Sequence, residues 1–163
     1  MKLSLKIGLF SVMVLGIASC AKKENYSFIP AITYKSLVEN GDGSATLQVS
    51  FTDGDGDIGY NTTNPPVDFF VEILQQDSTG KYNPIIDPLL SDPIMGDTAY
   101  VPYNVPYITP SGSNKELSGQ IQVIMAAGSW YFKANTNVEF KVWLVDRAGH
   151  ISNRIITPVL LAP

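Results

Sequence analysis

A chain of 163 residues with one cysteine and one histidine cannot close an internal disulfide, nor build a zinc centre from histidine and cysteine ligands. Its formal charge of −4 speaks against nucleic acid as a partner, because phosphates call for a basic surface. Hydrophobic residues make up 45% of the chain, enough for the core of a single domain.

The first segment is Met1-Lys2-Leu3-Ser4-Leu5-Lys6, whose two lysines form a basic start. Residues 7–18 are uncharged and mostly apolar. That run is shorter than the roughly 20 residues needed to span a bilayer, and it suits the apolar region of a secretory signal. Ile17-Ala18-Ser19-Cys20 then resembles the bacterial lipobox, in which an aliphatic and two small residues precede a cysteine. The resemblance implies that residues 1–19 are removed as a lipoprotein signal peptide. It also implies a covalent lipid on Cys20, as diacylation of the thiol and acylation of the new N-terminus. The plainer alternative is an ordinary signal peptide followed by a chance cysteine. An unpaired cysteine in an exported chain needs a reason, however, and lipidation gives one. Loss of the two lysines takes the formal charge from −4 to −6. Membrane attachment is therefore expected through the lipid rather than through a basic patch; each buried CH₂ contributes about 0.8 kcal/mol. The expected address is the bacterial cell envelope, at the outer membrane, facing either the periplasm or the surface.

Residues 20–27 are polar and are expected to act as a lipidated tether. Beyond them the hydrophobic period is two. Ala45, Leu47, Val49 and Phe51 alternate with Thr46, Gln48, Ser50 and Thr52. Val67, Phe69, Val71 and Ile73 alternate with Asp68, Phe70, Glu72 and Leu74. Ile121, Val123 and Met125 follow the same rule, as do Val138, Phe140, Val142 and Leu144. Such runs are half-buried antiparallel strands. Residues 151–161 are β-branched but interrupted by Pro158, which suits an edge strand. Residues 83–114 form a Pro-rich insertion in which Tyr100-Val101-Pro102-Tyr103 is expected to be a short edge strand. The rest of the insertion is expected to be ordered coil packed by its own apolar residues. Trp143 alternates with core positions, so it either faces outward or lies beneath that insertion. The expected fold is all-β: one immunoglobulin-like or fibronectin-III-like antiparallel sandwich over residues 28–163, with seven or eight strands.

Between two strands lies Asp53-Gly54-Asp55-Gly56-Asp57-Ile58-Gly59. Calcium takes six to eight oxygens, and aspartates at alternate positions can aim at one point if the chain curls. Glycine permits that curl through positive φ. The run is not an EF-hand, because Ile58 stands where that loop needs glycine and Asn64 where it needs the bidentate glutamate. A second segment, Asp146-Arg147-Ala148-Gly149-His150-Ile151-Ser152-Asn153, precedes the last strand. In an immunoglobulin-like order these two segments are the B–C and F–G loops, which sit at the same end of a sandwich. Asp53, Asp55, Asp57 and Asp146 are thus candidate Ca²⁺ ligands. The competing reading is that both segments are plain turns, with aspartates bonding their own backbone and Arg147 neutralising them by a salt bridge.

Both segments resemble those of uncharacterised immunoglobulin-like lipoproteins of Bacteroidota, which carry Asp-Gly-Asp-Gly-Asp-Ile-Gly after a strand and Asp-Arg-Ala-Gly-x-x-Ser-Asn before the last one. The resemblance implies fold and location and no particular activity. Catalysis is not expected. His150 follows a turn glycine, no Gly-x-Ser-x-Gly elbow occurs, and the aspartates crowd one loop instead of facing each other across a bond. A carbohydrate-active or proteolytic surface enzyme is the alternative of a different class. A glycan-binding module is another, with Trp130, Tyr131 and Tyr103 as candidate stacking residues; the same aromatics can equally cap the core. The expected role is a non-catalytic binding or scaffolding lipoprotein with a structural Ca²⁺. Its expected partners are the membrane, through the anchor, and an envelope protein or glycan.

Overall fold

A computed structural model of the protein describes residues 25–86, 96–126 and 135–162. These residues form nine strands and no helix: β1 (Ala31–Glu39), β2 (Ala45–Asp53), β3 (Phe69–Gln76), β4 (Tyr82–Pro84), β5 (Tyr100–Tyr103), β6 (Leu117–Met125), β7 (Asn137–Leu144), β8 (Ile155–Ile156) and β9 (Leu160–Leu161). Every ladder is antiparallel. One sheet runs β1-β2-β6 and the other β4-β3-β7-β8, with β5 also on β3 and β9 also on β7. The two sheets form an open β-sandwich in which an A-B-E sheet faces a C-F-G sheet.

The period of two produces this arrangement directly. Along β2, burial alternates without a break, and Ala45, Leu47 and Val49 are wholly buried. Val138, Phe140, Val142 and Leu144 of β7 and Phe69, Val71 and Ile73 of β3 are buried in the same core. Each fully buried side chain of this kind contributes about 1.5–3 kcal/mol. The ladder Ala45↔Met125 through Asp53↔Leu117 keeps β2 and β6 in register over their whole length.

Three expectations are amended. The C-terminal run is two short strands rather than one, because Pro158, lacking an N–H, separates β8 from β9; both still pair with β7. The strand count therefore becomes nine among the described residues. Strand β3 is buried on both faces instead of alternating. On its second face Phe70 stacks on Trp143, with centroids 5.1 Å apart and planes 4° apart. Tyr100 packs against Phe70 at 5.6 Å, and the Arg154 guanidinium lies 4.8 Å over the Trp143 ring. Among the described residues Trp143 is thus buried, with Phe70 and Arg154 rather than the Pro-rich insertion against its ring. Beside this cluster Lys141 pairs with Glu72.

Strands β4 and β5 share one edge of β3 end to end, so the Pro-rich insertion does supply an edge strand at Tyr100–Tyr103. Residues 87–95 of the insertion lie outside the described residues, as do Cys20, Trp130 and Tyr131. The tether reading of residues 20–27 also changes at its C-terminal end. The Tyr26 amide donates to Glu116 Oε1 at 3.3 Å, holding this part of the chain against the domain.

Candidate metal centre

The inward face of β2 carries Ala45, Leu47, Val49 and Phe51, and the next inward position is Asp53. The same alternation that buries the aliphatic residues therefore buries a carboxylate, whose residue exposure is 0%. Its Oδ2 accepts hydrogen bonds from the amides of Gly56 at 2.8 Å and Asp57 at 3.1 Å. This curls the chain sharply at the strand end. Gly56 adopts φ 70°, and a Cβ there would strike the Lys115 carbonyl, so only glycine fits.

The curl brings one carboxylate oxygen from each of Asp53, Asp55 and Asp57 within 4.8 Å of the others. The Oδ1 atoms of all three are buried and accept no hydrogen bond. Buried polar atoms are normally paired, and an unpaired buried carboxylate oxygen is costly. Burial, then the charges of Asp55 and Asp57, push the Asp53 carboxyl up to about 6. Asp57 is raised by burial first, and then by Asp146 and Asp55.

Arg147 does not relieve this repulsion by pairing. Its guanidinium donates to the carbonyls of Ile58 and Gly59, both at 2.7 Å, and to Thr109 Oγ1 at 2.8 Å. It also lies 4.7 Å over the Tyr107 ring. Among the described residues the ion pairs are Lys141–Glu72 and His150–Asp146. Arg147 ties the B–C loop to the β5–β6 connection, and its charge acts on Asp57 only as the weakest of several influences.

The B–C and F–G loops do meet. The Arg147 amide donates to Asp57 O at 3.0 Å, and the Ala148 amide to Asp57 Oδ2 at 3.0 Å. Asp146 nevertheless stands outside the cluster of three. Its Oδ1 accepts from the His150 amide at 2.8 Å, and its Oδ2 lies 2.8 Å from His150 Nδ1. The carboxylate is spent on its own turn, and it raises the His150 imidazole, chiefly through that hydrogen bond.

Tyr103 serves as a pin between strands. Its hydroxyl donates to Ile124 O at 3.1 Å, and its ring meets Phe69 edge-on at 6.4 Å. Burial pushes its hydroxyl up to about 12. It borders an apolar cavity of about 580 Å³ together with Phe51, Phe69 and Val105.

Two features escaped the sequence. Asp68, which alternation placed on an outward face, is wholly buried. It accepts from the Val105 amide at 2.8 Å, and burial raises it to about 6. The other is the approach of Tyr26, Ser27 and Glu116 to the aspartate loop, which no periodicity encodes. Compared with family models and with curated proteins, the chain matches none.

Proposed function

We propose that the protein is a non-catalytic envelope lipoprotein, held by a lipid on Cys20, whose sandwich is stiffened at one end by a Ca²⁺ ion on Asp53, Asp55 and Asp57. The observation that carries the ion is the trio of buried Oδ1 atoms with no hydrogen-bond donor. A hard cation satisfies all three at once and removes their mutual repulsion. Asp53 and Asp57 keep their Oδ2 atoms for backbone amides, which leaves one oxygen from each free for metal. Bound this way, the ion locks the B–C loop, and through Asp57 also the F–G loop. The binding or scaffolding role follows from a rigid platform on a lipid anchor, with an envelope protein or glycan as partner.

Thermal melts in EDTA and in millimolar calcium chloride test the ion. Saturation at a hundred times the dissociation constant stabilises the fold by about 2.7 kcal/mol. The expected result is a rise of several degrees that Asp55→Ala abolishes. No rise, in protein shown to be metal-free at the start, sinks the ion and leaves a plain turn. The anchor is tested by fractionation: Cys20→Ser should move the protein from the membrane to the soluble fraction, and full membrane retention would refute it.

A further inference from the structure

Three carboxylates supply only part of the six to eight oxygens that calcium takes, which directs attention to what else borders the loop. The N-terminal segment does. A Cβ on Gly54 would stand 2.5 Å from Tyr26 O and 2.8 Å from Ser27 O. Two main-chain carbonyls therefore lie across the residue between Asp53 and Asp55, and Gly54 lacks a side chain at the point where they cross. The segment is fixed there by the Tyr26 amide donating to Glu116 Oε1 at 3.3 Å. Asn25, Tyr26, Gly54, Asp55 and Glu116 together line one cavity of about 370 Å³.

We infer that residues 25–27 close the cation site as a strap: a calcium ion on Asp53, Asp55 and Asp57 draws main-chain oxygen from Tyr26 or Ser27, so ion binding and docking of this segment are one event. The inference rests on the calcium reading above. The buried, unpartnered Oδ1 of Asp53 marks where the ion sits, and the carbonyls packed on Gly54, the residue that joins Asp53 to Asp55, are the neutral oxygens offered to it. Neutral ligands suit the position, since a fourth carboxylate would add to the repulsion already present. Glu116 is a positioning residue that acts through the Tyr26 amide.

Hydrogen exchange on the full chain in detergent, followed by mass spectrometry across a calcium chloride titration, tests this. Peptides covering residues 25–30 and 53–59 should gain protection together, with one calcium midpoint. Gly54→Ala should abolish protection of residues 25–30 and raise the midpoint about ten-fold, as loss of a supporting group around a metal does. Glu116→Ala should act similarly, whereas Glu116→Gln, which keeps the acceptor oxygen, should restore most of the coupling. A melt in EDTA identifies any variant that fails to fold, and the two Glu116 variants carry the test if Gly54→Ala does. Protection of residues 53–59 with residues 25–30 unchanged overturns the strap and spares the ion. Protection of neither overturns both.

Discussion

Asp53 is held by two opposing requirements. Its Oδ2 builds the turn, through the amides of Gly56 and Asp57, while its buried Oδ1 faces like charges with no donor. Asparagine keeps an acceptor for the two amides and places an N–H group beside the free oxygens of Asp55 and Asp57. Asp53→Asn should therefore stabilise the metal-free fold by about 1 kcal/mol, in line with other replacements of buried charge. The same variant should lose the response to calcium. Melting in EDTA and in calcium measures both, and a destabilised variant in EDTA would contradict the repulsion argument. Much of this residue was readable beforehand: the alternation of Ala45, Leu47, Val49 and Phe51, carried one step further, lands on Asp53. Asp146 was not readable in the same way. Strand order predicts that its loop meets Asp57, and it does, but the direction of its carboxylate is set by the His150 amide and imidazole. A choice of rotamer governed by one local hydrogen bond leaves no periodic trace in a sequence.

Strands β2, β3 and β7 form the part of the fold on which the loops depend. Phe140 of β7 is wholly buried and pairs with Ile73 across the sheet. Its removal leaves a cavity between the two sheets, and Phe140→Ala should cost about 3–5 kcal/mol. Denaturant melts in EDTA would check this, and a loss below about 1 kcal/mol would mean that the core collapses around the gap. At this scale the sequence is informative wherever one face is buried and the other wet, as along β2. It is less informative at β3, where Phe70, Trp143 and Tyr100 cover the second face. Alternation then loses its contrast, and so it puts Asp68, one residue before β3, on an outward face although the residue is buried. The last strand was divided by Pro158 as the chemistry of proline requires, although its residues on both sides read as a single run.

For the whole molecule, the raised carboxyls set a pH response. Asp53 and Asp68 titrate near 6 when folded, against an ordinary 3.8. Between those values the folded state holds protons that the unfolded state has released. Stability of the metal-free protein should therefore fall as pH rises from about 4 to 6 and then level off for these groups. His150, raised by Asp146, adds a decline in the same direction at higher pH, where its proton leaves the folded state. Calcium favours ionised Asp53, so the gain in melting temperature on adding calcium should grow across that window. A gain that does not vary with pH would dissociate the ion from Asp53. Under the lipid-anchor proposal, the pinning of Tyr26 over Gly54 also limits how far the domain can stand from the bilayer. With Cys20 as the anchor, six Cα–Cα steps separate lipid and pin. At about 3.3–3.6 Å each they reach about 20 Å at full stretch, little more than two Debye lengths in physiological salt. That proposal then hangs the aspartate end close above the headgroups. The turns at Asp42 and Asp77, at the far ends of β2 and β3, become the surface a visiting molecule meets first.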